Sequence, residues 1–157
     1  MKIQLWSVGK AHEPDLINAI EDFTTRISKY FPVDWKIIPP YKNFVSASET
    51  IIKSKEAETI QSALKKDDCL IALDEKGKQY SSPQMAQFLQ ARANESLKNL
   101  IFIIGGAYGL GDATLDRADY KWSLSSLTFP HQLVRLILAE QIYRACSIMR
   151  NEKYHHS

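Results

Sequence analysis

The stretch Ile104-Gly105-Gly106-Ala107-Tyr108-Gly109-Leu110-Gly111 follows directly on an apolar run, Leu100-Ile101-Phe102-Ile103-Ile104. Glycines in such a place let a main chain approach a ligand closely, or let the chain take positive φ in a turn. The spacing is not G-x-G-x-x-G and no Lys-Ser/Thr pair follows, so neither familiar phosphate cradle is present. A purely structural turn is the competing reading. Leu73-Asp74-Glu75-Lys76-Gly77-Lys78 follows a second apolar run, Cys69-Leu70-Ile71-Ala72-Leu73. There Leu73 could press on a flat base, and Asp74 and Glu75 could accept hydrogen bonds. A solvated turn uses the same residue types.

The last long segment carries a charge where an apolar face is expected. On a helical wheel Arg135 shares its side with Leu138, Ala139, Ile142, Cys146 and Met149, while Glu140, Arg144 and Ser147 form a polar arc. Glu140 and Arg144 are one turn apart and are expected to pair. Arg135 needs a carboxylate, carbonyls or a ligand anion if it is buried; otherwise it snorkels, stem packed and head wet. Leu133, Ile137 and Ile148 fall near the polar arc, and a helix apolar nearly all round needs burial on both sides. A second copy of the chain supplies that most simply. The tail, Arg150-Asn151-Glu152-Lys153-Tyr154-His155-His156-Ser157, mixes aromatic and basic groups that suit stacking and phosphate contact with RNA, although a frayed terminus looks similar. Adjacent histidines lack the i,i+4 spacing of helical metal ligands, so no metal site is expected. No G-x-S-x-G motif is present.

The elements that must position these residues read as a strand–helix alternation. Ile3 to Val8 is a strand, Pro14 opens a helix to about Tyr30, and Val33 to Ile38 is a second strand. Tyr41 to Ala47 reads as loop. Ser46-Ala47-Ser48-Glu49 fits a capping box for a helix to about Lys65. The runs Cys69–Leu73 and Leu100–Ile104 are apolar without alternation, as strands covered on both faces are. Between them Ser81-Ser82-Pro83-Gln84 opens a helix from Pro83 to Ser96. A short helix from Ala113, a strand from Lys121 to Leu124 and a long helix to about Arg150 complete an α/β fold with a mostly parallel sheet flanked by helices.

The chain has 157 residues, 45% hydrophobic and 24% charged, as expected for one globular domain rather than a disordered chain. No apolar run is long enough for a membrane span, and the first eight residues are too polar for a signal peptide. Cys69 and Cys146 have no CxxC spacing and read as reduced core thiols of a cytoplasmic protein. The net charge of +2 announces no nucleic-acid partner by itself.

Leu127-Thr128-Phe129-Pro130-His131-Gln132-Leu133-Val134-Arg135, then Glu140-Gln141-Ile142-Tyr143-Arg144-Ala145, then Tyr154-His155, is similar to the C-terminal half of the RlmH family, ribosomal RNA pseudouridine N3-methyltransferases of the SPOUT class. The glycines after Ile104, and Leu73, also fall where that family has them, and the resemblance covers essentially the whole chain. It implies a single domain with a C-terminal trefoil knot, which general topology rules would not suggest. It implies S-adenosylmethionine as cofactor, held by Leu73, Gly105 and the run Leu124, Ser125, Ser126, Leu127, Thr128 and Phe129. It implies a homodimer in which tail residues 151–157 of one subunit complete the other's site. The substrate would be a pseudouridine of 23S rRNA in the assembled ribosome, with no role for DNA or a membrane. Arg135, His131, Tyr154 and His155 are the catalytic candidates, unranked. A non-catalytic dimeric RNA-binding or ribosome-associated module and a knotted methyltransferase acting on another RNA, such as tRNA, are the alternatives. The family commonly ends Tyr-His followed by Lys or Arg; here His156 stands in that place.

Overall fold

Successive residues of a strand point to opposite faces, and in this protein the two sets meet two different helix layers. In the computed structural model, which describes residues 1–41 and 47–156, the elements run β1 (Lys2–Val8), α1 (Pro14–Ile27), β2 (Val33–Ile38), α2 (Glu49–Ala63), β3 (Cys69–Gln79), α3 (Ser82–Ala93), β4 (Asn99–Ile104), α4 (Asp112–Arg117), β5 (Tyr120–Ser123) and α5 (His131–Met149). The strands form one sheet in the order β2-β1-β4-β3-β5, with every pair parallel. Ile3 and Leu5, Ile71, and Leu100 and Phe102 pack with Ile27 of α1, Leu89 of α3 and Leu138 of α5. Trp6 and Val8, Leu70 and Ala72, and Ile101 and Ile103 pack on the other side with Ile60 of α2 and Leu115 of α4. The apolar runs of β3 and β4 are therefore covered on both faces, as their lack of alternation implies.

Most element limits agree with the sequence to within a few residues, and the exceptions have local causes. Ser81 and Gln84 form the full capping box at the start of α3, with bonds of 3.2 Å and 2.8 Å. That helix stops at Ala93, short of the expected Ser96, which has left-handed backbone (φ 59°). α1 stops at Ile27 rather than Tyr30, its chain turning ahead of Pro32, where helix is disfavoured. α2 is capped by Ser48, whose Oγ accepts from the Ile51 amide at 3.3 Å. Ser46 of the expected capping box, and most of the expected loop before it, lie outside the described residues.

The larger departure is β3. It continues past Leu73 to Gln79, where the sequence reads as a turn. Leu73 and Lys78 both sit opposite Trp122 of β5, so residues 74–77 bulge out of the ladder. Gly77 makes this possible: a Cβ there would lie 2.6 Å from the Lys121 carbonyl carbon.

Both cysteines are free and buried. Burial pushes the Cys69 thiol up to about 11 and the Cys146 thiol up to about 12, so neither is a nucleophile at neutral pH. Among the described residues no helix is long and apolar enough to cross a membrane. Phe102 lies wholly buried at the centre of the sheet, edge-on to Trp122. Phe102→Ala should lower the unfolding free energy by about 3–5 kcal/mol, measured by urea denaturation.

Candidate active site at the carboxyl end of the sheet

In a parallel sheet every strand ends at the same edge, and the loops leaving that edge meet. The loops after β4 and β5 and the bulge in β3 enclose a pocket of about 510 Å³. The glycine loop is shaped by its own backbone. The Gly109 amide donates to the Gly106 carbonyl at 3.0 Å, and Gly109 has φ 81°. A Cβ on Gly105 would lie 2.6 Å from the Gly109 carbonyl carbon and 2.8 Å from the Leu110 nitrogen. The glycine at 105 is thus required by the loop's own close approach, the structural alternative raised by the sequence, while Gly105 and Gly106 still line the pocket. The second loop is pinned by two hydroxyls. Ser123 Oγ donates to the Ser125 carbonyl and the Leu127 amide donates to Ser125 Oγ, both at 3.0 Å.

Of the residues expected at a cofactor site, Leu73, Gly105, Leu124 and Ser125 line this pocket, as do Leu127, Thr128 and Phe129. Ser126 does not; it is exposed, on the outside of the turn that Ser125 closes. His131, the first residue of α5, lies on the pocket wall.

Arg135 stands one turn further along α5 and is not on the wall. It is completely buried, so the snorkelling alternative is wrong. Its Nε donates to Ser7 Oγ at 2.8 Å, and its Nη1 lies 3.2 Å from His12 Nδ1 and donates to Gln132 Oε1 at 3.3 Å. Guanidinium only donates, so His12 Nδ1 must be the acceptor and its proton sits on Nε2. Among the described residues Nη2 has no hydrogen-bond partner. A Cβ on Gly9 (φ 140°) would lie 3.3 Å from that Nη2 and 3.4 Å from His131 Nε2, so Gly9 leaves room beside both. Burial, then the Arg135 charge, holds both His12 and His131 below the ordinary imidazole value. Burial lowers Arg135 too, with Glu13 opposing. Ser7, His12 and Gln132 were not found from sequence. The available signal was a serine at a buried strand position just before a glycine.

Tyr154 and His155 lie elsewhere. Tyr154 donates to Glu140 Oε1 at 3.0 Å and packs edge-on against Tyr143 at 4.7 Å. Burial and the Glu140 contact push its phenol up, so it remains a donor. The His155 Nδ1 lies 3.2 Å from Arg144 Nη1, and Arg144 is paired with Glu140 at 2.5 Å as the helical spacing implied. An α-helix rises ~1.5 Å per residue, so Arg144 is about 20 Å along α5 from His131. One chain therefore brings His131 and Arg135 together but holds Tyr154 and His155 away from its own pocket.

The family model described as Predicted SPOUT methyltransferase matches residues 1–155. The chain belongs to the SPOUT methyltransferase family. It is 44% identical over 156 residues to the ribosomal RNA large subunit methyltransferase H of Cytophaga hutchinsonii, covering 99% of this chain and 100% of the relative. It is 46% identical to the protein of that name from Flavobacterium johnsoniae, covering 99% of each. Among solved structures, a probable methyltransferase from Bordetella pertussis shares the fold, with a TM-score of 0.58 at 10% identity over 92% of this chain and 95% of that one.

In this SPOUT site the two depressed histidines carry a stability signature. The unfolded chain takes up protons below about pH 6.5 that folded His12 and His131 resist. Stability should therefore fall as pH drops through that value and below. Urea midpoints at about pH 7.5 and about pH 5.5 will show the decrease, and His12→Gln or His131→Gln should lessen it.

Proposed function

We propose that this protein is an S-adenosylmethionine-dependent methyltransferase that modifies N3 of a pseudouridine in large-subunit (23S) ribosomal RNA, on the assembled ribosome in the cytoplasm and as a homodimer. The observation that carries the reading is the convergence, in a SPOUT chain, of three loops on one pocket whose wall continues into His131 and, behind it, Arg135.

The pocket suits the cofactor. Its volume lies in the usual range for small-ligand sites, about 300–1,000 Å³, with apolar walls and a few polar groups. Leu73, Leu124 and Phe129 would flank the adenosyl portion, and the main chain at Gly105 and Gly106 would meet it without side chains intervening. When bound, S-adenosylmethionine supplies a methyl on a positively charged sulfur, already activated for displacement. The remaining task is positioning, which accounts for much of the rate in such reactions, together with accommodating the acceptor's N3 as its proton leaves. His131 reaches the pocket in its neutral form. No metal is needed, and none of the described residues form a cluster of three or more metal-ligating side chains.

The position of the tail supports the dimer. Tyr154 and His155, fastened to Glu140 and Arg144, cannot serve their own chain's pocket. They would serve a partner's. Leu127 is 69% exposed, and Leu133 and Ile137 on α5 are only half-buried, which gives a second copy apolar surface to cover. The chain is read as carrying its family's trefoil crossing, with the segment after Leu124, which lines the same pocket as the other two loops, in its neighbourhood.

Incubating assembled ribosomes that lack the modification with the protein and methyl-labelled cofactor tests the reading. Label should appear at one pseudouridine on digestion and mass mapping. Folded protein that leaves rRNA unlabelled, or labels only tRNA, overturns it. Gly105→Val should weaken cofactor binding by at least about tenfold in calorimetry, by forcing the glycine loop open rather than by filling the pocket. Deleting residues 154–157 should leave that affinity unchanged while methyl transfer falls by about a hundredfold or more.

A further inference from the structure

A wholly buried guanidinium is ordinarily matched by a carboxylate, because an uncompensated buried charge costs several kcal/mol. Arg135 is not: among the described residues it forms no ion pair. Its neutral partners, Ser7, His12 and Gln132, satisfy Nε and Nη1 and fix the plane of the group. What they leave is Nη2, without a partner and aimed at the space beside Gly9. The His131 ring edge flanks that same space, with Nε2 3.4 Å and Cδ2 3.7 Å from where a Cβ would stand. His131 also lines the pocket, so Nη2 lies one side chain behind the pocket wall.

We propose that Arg135, aimed by Ser7, His12 and Gln132, is the binding site for a planar oxygen anion of a ligand in the pocket, reached between Gly9 and His131. Two groups in the proposed reaction have that chemistry: the α-carboxylate of the cofactor, and the imide of the acceptor base after its N–H bond breaks and the proton passes to water. Nη2, with two N–H donors and the guanidinium's fixed charge, can donate to an oxygen of either anion. Nη2 is shielded in the present conformation, so anion binding requires the His131 ring to turn aside when the ligand enters. The glycine at 9 is explained on the same ground, since any side chain there would stand against Nη2 and His131. His12, with its Nδ1 unprotonated, is a positioning residue, as are Ser7 and Gln132.

The inference rests on the functional reading above, and its test separates the two. Calorimetry with S-adenosylhomocysteine, which carries the carboxylate, and with 5′-methylthioadenosine, which lacks it, is run on the full-length wild type, Arg135→Lys and Ser7→Ala. If the anion is the carboxylate, Arg135→Lys weakens S-adenosylhomocysteine by about tenfold or more and leaves methylthioadenosine unchanged. If it is the imide, both affinities hold, while single-turnover methyl transfer to assembled ribosomes falls by about a hundredfold near pH 7 and recovers as pH rises. Ser7→Ala keeps the charge and must move the same readout by a smaller factor, which keeps the test decisive if the lysine variant does not fold. Wild-type affinities and a wild-type pH–rate profile in folded Ser7→Ala or Arg135→Lys overturn the inference. A wild-type protein that neither binds S-adenosylhomocysteine nor transfers a methyl overturns the functional reading instead.

Discussion

Placing a guanidinium between a sheet and a helix, out of reach of water and of any paired carboxylate, is unfavourable by several kcal/mol unless neutral acceptors surround it. Arg135 is held in that position by Ser7 from β1, His12 from the loop that follows and Gln132 from the first turn of α5. Gln132 does more than accept from the arginine. Its amide donates to the Ala11 carbonyl at 3.1 Å, and its oxygen accepts from the Glu13 amide at 3.1 Å. This cluster joins the start of α5 to the end of β1. It thereby joins the segments beside His131 on the pocket wall, where burial and then the Arg135 charge hold the imidazole below its ordinary value.

The pocket itself follows from strand direction. With all strands parallel, the ends of β3, β4 and β5 open on one edge. The loops there are shaped internally, by the Gly105–Gly109 approach and by the hydroxyls of Ser123 and Ser125. A site built this way is formed before any ligand arrives, so binding loses little in ordering the chain. The bulge at residues 74–77 adds the third wall, where Asp74 and Glu75 line the pocket while Glu75 stays exposed to solvent.

The other end of α5 is equally ordered for a different purpose. Glu140 accepts from Arg144 and Tyr154, Arg144 reaches His155, and Tyr30 donates to Glu152 at 2.5 Å. A terminal segment with this many partners is not a frayed end. It is presented in a fixed orientation on the outside of the helix, beside half-buried leucine and isoleucine side chains. One helix thus carries a pocket wall at its start and a clamped tail at its end, about 20 Å apart along its axis.

The sequence by itself determined the fold class, the order of elements and the two-sided burial of β3 and β4, because periodicity and capping are local and survive without knowledge of neighbours. Leu73, the Gly105 loop and the turn from Leu124 to Phe129 were named as a site by the family resemblance; position after an apolar strand singled out only the first two, and left a plain turn open at each. Tertiary structure alone decided what Arg135 does. Ser7 and His12 are 128 and 123 residues away from it, and no local pattern distinguishes a buried arginine met by a serine and a histidine from one reaching into water. The same holds for the extension of β3, created by pairing with Trp122, and for Ser126, turned outward by the hydroxyl of its neighbour. Contacts between distant segments carry no spacing that can be read along the chain, so the fold, and not the sequence pattern, chose the partners.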